Sequence, residues 1–116
     1  MELNGSVITG NGTECWYHAG LLHREDGPAI VHADGYRLWY INGLLHRDDG
    51  PAITYATGDE FWYLNGLLHR TDGPAVAHTN NCFGWYLKGR RYSFNEWAEQ
   101  TNTSPTAAML LAIKYG

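Results

Sequence analysis

Three short segments of the chain combine a histidine, an arginine and an aspartate, which are residue types that can support acid–base or anion-binding chemistry. They are His23-Arg24-Asp26, His46-Arg47-Asp49 and His69-Arg70-Asp72. A histidine near a carboxylate can transfer protons at neutral pH, and an arginine can hold a phosphate through charged hydrogen bonds. One hypothesis is therefore a protein that binds or sequesters a nucleotide or phosphate at Arg24, Arg47 or Arg70.

The same segments recur with a strict period, which favours a structural role. Four Trp-Tyr pairs, beginning at Trp16, Trp39, Trp62 and Trp85, are 23 residues apart, and the phrase Gly-Leu-Leu-His-Arg occurs three times between them. An active site seldom needs several equivalent copies of each group, whereas a repeat scaffold does. We therefore expect a non-enzymatic protein without catalytic residues, and a hydrolase is the weaker alternative.

The periodic histidines are poorly placed to share a metal ion. If each repeat adds two strands about 4.8 Å apart, His23, His46 and His69 lie about 10 Å from one another, whereas zinc ligands lie within about 2.3 Å of the metal. We interpret these histidines as structural, and we expect neither a metal nor a cofactor.

Composition and charge narrow the class of protein. The chain has 116 residues, of which 44% are hydrophobic and 14% aromatic, with 14 glycines, and this composition is typical of one domain of turn-rich β structure. A net charge of −4 argues against direct binding of nucleic acid. Apolar runs are too short to span a bilayer, and Cys15 and Cys82 occupy non-equivalent places in the repeat. We expect a cytoplasmic protein with reduced thiols and no membrane contact.

Each repeat is predicted to contain a β-hairpin. Asn11-Gly12 and Asp34-Gly35 are typical of two-residue hairpin turns between strands. Counting outward from each tip places a β-branched residue opposite every tryptophan, in the pairs Val7–Trp16, Ile30–Trp39, Ile53–Trp62 and Val76–Trp85. The pattern thus predicts one core face of Trp, Ile and Val, and an opposite, half-buried face of tyrosines set across from small residues.

The segment between hairpins is predicted to turn back on the sheet. It begins with Asn42-Gly43, a second turn signal, and ends in Asp-Gly-Pro, where proline restricts the backbone. We expect Leu44 and Leu45 to cover one edge of the core. We also expect Arg47 and Asp49 to form ion pairs between neighbouring connectors.

The repeat pattern ends after Gly89, and two helices are predicted to follow. Ser93 to Glu96 form a capping box, and Ser104-Pro105 begin a second helix whose residues 107 to 113 are all apolar. This second helix is expected to be buried, either on the open end of the sheet or against another chain. The predicted fold is mainly β: an elongated antiparallel sheet of four stacked 23-residue hairpin repeats (residues 1–92, one domain) with a C-terminal two-helix cap (residues 93–116).

The period, Asn42-Gly43, His46 and the stretch Tyr55 to Asp59 resemble the MORN repeat, over roughly residues 5–91. The chain departs from that family's pattern because Arg24, Arg47 and Arg70 stand where the family has glycine after histidine. The resemblance implies stacked hairpins that bind proteins or, in some cases, acidic lipids; the lack of a basic face here argues against lipid.

The phrase Trp-Tyr-x-Asn-Gly-x-x-His-Arg-x-Asp-Gly-Pro-Ala is also similar to small proteins of bacteriophages and giant viruses. That similarity implies a phage-encoded protein, in the host cytoplasm, that binds and inhibits or modulates a host protein complex such as a bacterial defence or CRISPR-type system.

The hairpin tips differ among the repeats, so we expect them to contact the partner. Aromatic and arginine side chains dominate interface energies. The preferred contacts are Tyr36, Arg37, Asp59, Glu60 and Phe83. The expected partner is a host protein or complex rather than nucleic acid or membrane, and a homodimer through the C-terminal helix or a sheet edge is a further possibility.

Overall fold

The computed structural model describes residues 3–116 and is mainly β, with one large antiparallel sheet and two C-terminal helices, as predicted. The molecule is elongated, with extents of 52 × 26 × 20 Å. The strands are β1 Gly5–Ile8, β2 Glu14–His18, β3 Leu21–Leu22, β4 Ile30–Val31, β5 Arg37–Leu38, β6 Tyr40–Ile41, β7 Leu44–Leu45, β8 Ile53–Thr54, β9 Glu60–Phe61, β10 Tyr63–Leu64, β11 Leu67–Leu68, β12 Val76–Ala77, β13 Phe83–Leu87 and β14 Arg90–Tyr92, and the helices are α1 Phe94–Gln100 and α2 Pro105–Tyr115.

The hairpins stack side by side in chain order. The main sheet runs β1-β2-β4-β5-β8-β9-β12-β13-β14, with β3 paired to β2, while β6 pairs with β7 and β10 pairs with β11 in two small ribbons. The strand is interrupted at Trp39, which separates β5 from β6, and at Trp62, which separates β9 from β10. Each repeat therefore contributes one hairpin to the long sheet, and in the second and third repeats the short ribbon that follows is separate from that sheet.

The hairpin tips are three-residue loops, so the prediction of two-residue turns was wrong. In the second hairpin the His32 N–H donates to Tyr36 O and the Gly35 N–H donates to His32 O, both at 2.9 Å, which leaves residues 33 to 35 in the loop. Gly35 has φ +97°. This is the loop in which a type I turn is followed by a left-handed glycine, and Asp-Gly suits it as well as it suits the two-residue turn.

The longer loop moves the cross-strand register by one residue in all four hairpins. The observed partners are Ser6 for Trp16, Ile30 for Leu38, Ile53 for Phe61 and Val76 for Gly84. The predicted opposition of a β-branched residue to each tryptophan is therefore wrong. Instead the N–H groups of Trp16, Trp39 and Trp62 each donate at 2.7 Å to the carbonyl of Ala29, Ala52 and Ala75, the alanine of the next repeat.

A one-residue slip turns side chains to the other face of a sheet, and this determines which residues share a face. Cys15 pairs with Ile30, and Ile30 pairs with Leu38, so these aliphatic residues lie on the same side as Tyr17. We call this side the Tyr face; it carries Tyr17, Tyr40, Tyr63 and Tyr86. The opposite side, the Trp face, carries Trp16, Trp39, Trp62 and Trp85. The prediction that the β-branched residues lie with the tryptophans was thus also wrong.

The C-terminal helix α1 closes the array at its last repeat. The predicted capping box is present, with Ser93 and Glu96 exchanging hydrogen bonds with each other's backbone. Trp97 is 0% exposed, and its indole N–H donates to Arg70 O at 2.9 Å. Its ring centre lies 4.6 Å from that of Trp85, and the Phe94 ring lies 4.8 Å from Trp85 on the same face.

The second helix begins at its predicted cap, Ser104, but it is not buried against its own sheet, which was the first of the two predicted alternatives. Met109, Leu110 and Ile113 are 59%, 60% and 76% exposed. None of its residues is fully buried, and only one side of it is partly covered; Tyr115, on that side, reaches back to Phe83 with ring centres 5.1 Å apart. Within residues 3–116, neither helix has the length and hydropathy needed to cross a bilayer.

The connecting ribbons turn through pairs of residues with positive φ, as Asn42-Gly43 predicts. Asn42 has φ +49° and Gly43 has φ +80°. Asn65-Gly66 is an equivalent pair. Two further equivalent pairs are Ala19-Gly20 and Lys88-Gly89, whose first residues are less suited to positive φ than asparagine. Asparagine tolerates the left-handed region, whereas most L-residues are strained there.

Placing asparagine at the two unsuitable turn positions should stabilise the fold. We expect Ala19→Asn and Lys88→Asn each to raise the free energy of unfolding by about 0.5 to 1 kcal/mol, because they relieve left-handed strain. Urea denaturation measures the change. The matched control is Asn65→Ala, which should lose a similar amount. Unchanged stability in all three variants would show that these turns are not under strain.

Candidate functional site

Each arginine of the repeated His-Arg segments is clasped within its own repeat. The Arg47 guanidinium lies 3.9 Å above the centre of the Trp39 ring. Its Nε donates to Asp49 at 3.3 Å, and its Nη1 donates to the Pro51 carbonyl at 3.2 Å. Arg24 on Trp16 and Arg70 on Trp62 repeat the arrangement at 3.9 and 3.8 Å. We call this unit the arginine clasp.

The clasp accounts for the whole Arg-x-Asp-Gly-Pro-Ala phrase. Aspartate and the proline carbonyl accept the guanidinium hydrogen bonds, and the Trp39 N–H reaches the carbonyl of Ala52, which is 0% exposed. A Cβ atom added at Gly50 would lie 2.7 Å from Arg47 Cζ, so a side chain there would push the guanidinium away. The glycine is needed because the arginine passes directly over it.

This geometry corrects one prediction and leaves the anion-binding hypothesis with less support. The predicted ion pair joins Arg47 to Asp49 within one connector, and not to a neighbouring connector. A half-open groove of about 240 Å³ does run past Arg47 and Arg70 on the Trp face. However, Asp48, Asp49 and Asp72 line the same groove, and their carboxylates repel an anion.

The periodic histidines join neighbouring repeats. His46 Nδ1 accepts a hydrogen bond from the Asn65 N–H at 3.0 Å, and its Nε2 lies 3.0 Å from Asp48. An imidazole that accepts at Nδ1 carries its proton at Nε2, which is the atom facing the carboxylate. His23 accepts from Asn42 and His69 from Lys88, both at 2.9 Å. Each histidine thus holds the turn of the following repeat, consistent with a structural role.

Metal-binding residue types are dispersed over the described part of the chain. Among residues 3–116, no group of three or more His, Cys, Asp and Glu side chains is close enough to hold an ion. Cys15 and Cys82 are both free thiols.

The five predicted contact residues do not form one surface. Arg37 and Glu60 both pair with Thr54, and these three side chains lie on the Trp face. Tyr36 precedes Arg37 and points to the Tyr face, where it meets Tyr55. A partner bound to one face therefore contacts Tyr36 or the Arg37–Glu60 pair, but not both.

The other two predicted contact residues, Asp59 and Phe83, make contacts with other parts of the same chain. Asp59 accepts hydrogen bonds from the Thr79 N–H at 2.8 Å and the Thr57 hydroxyl at 2.9 Å. These bonds, the Thr79 bond first, hold the pKa of Asp59 below its usual value. Phe83 packs against Tyr115 of α2. Both residues tie neighbouring elements together.

A continuous row of rings crosses the Tyr face. His32 stacks on Tyr36 with centres 4.6 Å apart, Tyr36 meets Tyr55 at 5.8 Å, Tyr55 meets Phe61 at 5.6 Å, and Phe61 meets His78 at 5.5 Å. We call this row the aromatic strip. It runs from the second hairpin to the fourth, and Tyr55 in its middle is 41% exposed. The strip was not predicted from the sequence, although His32, Tyr55 and His78 are equivalent positions 23 residues apart.

Tyr40 and Tyr63 lie near the strip on the same face. Burial, followed by the proximity of other tyrosines, raises the pKa of Tyr40 and Tyr63. Their hydroxyls therefore stay protonated at neutral pH and can donate hydrogen bonds at this face.

Comparison of the chain with protein-family models, curated proteins and solved structures found no match. The MORN-like assignment therefore stays a prediction that rests on the repeat phrase.

Disrupting one clasp tests whether glycine and arginine act as a unit. We expect Gly50→Ala to lower the free energy of unfolding by about 1 to 2 kcal/mol, because it displaces Arg47 from Trp39 and Pro51. In an Arg47→Ala background the same change should cost much less. A double-mutant cycle by urea denaturation measures this coupling. Additive effects would contradict the clasp as the reason for the glycine.

Acid should weaken the contact that His69 makes with the next repeat. Burial and then Lys88 hold the pKa of His69 below 6.5, so the folded chain resists the proton that the unfolded chain accepts. Stability from this group is complete above pH 6.5 and is lost as the pH falls through the lower folded pKa. His69→Gln should flatten the fall in unfolding free energy between about pH 7 and pH 5. His18→Gln, which removes an exposed histidine, is the control; an equal slope in wild type and His69→Gln would refute the expectation.

Proposed function

We propose that this chain is a non-enzymatic protein-binding module and that its contact surface is the aromatic strip of the Tyr face. The observation that carries the proposal is the continuity of partly exposed rings across several repeats, with Tyr55 at the centre. Large exposed apolar patches mark interaction sites, and aromatic side chains supply most hot spots. The sheet beneath holds these rings in fixed positions, so little side-chain entropy is lost on binding.

The chemistry of the strip favours a protein over a polymer of sugars or nucleotides. Apart from the His32–Tyr36 pair, which is stacked at 26°, successive rings are inclined at 39°, 86° and 84°, so most of the strip forms pockets and ridges rather than a flat stacking platform. The nearest charges are carboxylates: Asp34 lies 2.9 Å from His32, and Asp59 lies 3.6 Å from His78. Carboxylates repel phosphates and favour a partner whose apolar contact region has a basic rim.

The repeat resemblance supports a proposal for the partner and the biological role. MORN-like arrays bind proteins, and the phrase shared with small phage proteins suggests a host protein complex as the partner, such as a defence or CRISPR-type system that the chain inhibits or modulates. The grooves of the Trp face are half open and lined by copies of the same clasp residues, which is consistent with a scaffold rather than a catalytic pocket.

Because Tyr36 and Arg37 lie on opposite faces of the sheet, a variant of one face can serve as the control for a variant of the other. The Tyr-face variant carries Tyr36→Ala and Tyr55→Ala, and the Trp-face control carries Arg37→Ala and Glu60→Ala. Affinity capture from a bacterial host, followed by titration of the purified partner, compares both with wild type.

We expect the Tyr-face variant to raise Kd more than about tenfold, and the control to bind like wild type. Both variants must retain the wild-type melting temperature. If the control loses the partner and the Tyr-face variant keeps it, the contact surface lies on the Trp face and this placement is wrong. If neither variant nor wild type captures a stoichiometric protein, the binding-module proposal fails.

A further inference from the structure

We infer that β1 is a self-association edge, at which two copies of this chain pair antiparallel and join their sheets into one. The inference concerns assembly alone, and it holds or fails independently of which partner the Tyr face binds. The two edges of the sheet differ. β14 forms one edge and carries Arg90 and Arg91, and α1 follows it directly. β1 forms the other edge, and among residues 3–116 no strand pairs with its outer side.

The backbone of β1 presents hydrogen-bonding groups to that open side. Thr9 donates its N–H to Thr13 O at 2.8 Å, so Thr9 faces β2. In an antiparallel ladder the inward and outward groups alternate, which directs the N–H and C=O groups of Ser6 and Ile8 away from β2. The strand is paired without a bulge from Gly5 to Ile8. Such an edge is a template for another strand.

The sequence of this edge lacks the devices that normally block pairing. Natural edges are protected by charged residues, proline or bulges. Residues 3 to 13 contain no charged residue and no proline, and Val7 and Ile8 are 42% and 68% exposed. In sequence, Glu2 precedes this segment and lies outside the described residues, and the first charge after it is Glu14 on β2. Two copies of Glu14 would be separated by three strand spacings, about 14 Å, which exceeds the Debye length of about 8 Å at physiological salt.

These observations favour a second copy over an unrelated strand because β1 is complementary to itself. A two-fold axis beside Val7 places Ser6 opposite Ile8 of the second copy, and Ile8 opposite its Ser6. Each of these pairs exchanges two backbone hydrogen bonds through the outward groups. Val7 then faces Val7 of the second copy as a closely spaced pair with both side chains on the Tyr face.

The assembly has a geometric consequence for binding. Paired residues share a side of the sheet, so both copies present their Tyr faces in the same direction. The particle is extended, with a long axis about twice the 52 Å of one chain, and it carries two aromatic strips. A partner that is itself dimeric or repetitive gains avidity from this arrangement.

Lysine and glutamate substitutions at position 7 test the proposed register between the two copies of β1 directly. Wild type should show a concentration-dependent monomer–dimer equilibrium in sedimentation velocity, with a larger radius of gyration than the 16.1 Å of the single chain in small-angle scattering. Val7→Lys alone and Val7→Glu alone should each raise the dimer Kd by about tenfold or more, because like charges then face one another. An equimolar mixture of the two variants should dimerise again, since position 7 meets itself across the axis.

Two further variants separate this edge from the other candidates. Ile8→Pro removes an outward N–H that β2 does not use, so it should abolish the dimer while keeping the wild-type circular dichroism spectrum. Ile113→Lys, on the exposed side of α2, should leave the dimer intact. A wild-type chain that stays monomeric at millimolar concentration overturns the inference, as does a dimer that survives the position 7 charges or is lost only in Ile113→Lys.

Discussion

The stacking of each clasp arginine on a tryptophan is the interaction on which the rest of the structure depends. A single sheet has no second layer to cover large rings on its Trp face. Arg47 supplies that cover: its guanidinium lies on Trp39, while Asp49 and the Pro51 carbonyl hold it in place. Guanidinium is weakly hydrated and planar, so it can cover an indole at little desolvation cost and remain hydrogen-bonded at its edge. The array is therefore built from local units, each completed by its neighbour.

The last repeat meets the same requirement by other means. Trp85 has no clasp arginine eight positions later, because Ser93 stands there and begins α1. Phe94 and Trp97 cover the ring instead, and the indole of Trp97 donates to the Arg70 carbonyl of the preceding connector. The change from a charged cover to an aromatic one coincides with the end of the array.

The sequence predicted the elements well and their relative register badly, for identifiable reasons. The period located every turn, and the capping box located α1, because both signals are local. Asp34-Gly35 is compatible with a two-residue and a three-residue loop, and the difference of one residue exchanged the faces assigned to Ile30 and Trp39. The burial of α2 was predicted from its apolar composition, but composition does not show which side of a helix the rest of the chain covers, and Met109, Leu110 and Ile113 are exposed. Tyr36 and Arg37 were grouped because they are adjacent in sequence, whereas adjacent strand residues point to opposite faces.

The different roles of the Trp face and the Tyr face follow from the arginine clasp. The clasp and the histidine contacts occupy the conserved phrase within each repeat of this chain, and they place its charged groups on or beside the Trp face. On the Tyr face, Tyr40 and Tyr63 lie opposite Leu45 and Leu68, and not opposite the small residues that were predicted. No clasp residue lies on this face, so its tip positions can vary without disturbing any clasp. Equivalent tip positions hold His32, Tyr55 and His78, which differ in chemistry yet remain rings in contact with one strip. Since a substitution at these positions leaves the stacking of repeats intact, the Tyr face can acquire a specific binding surface while the Trp face maintains the fold.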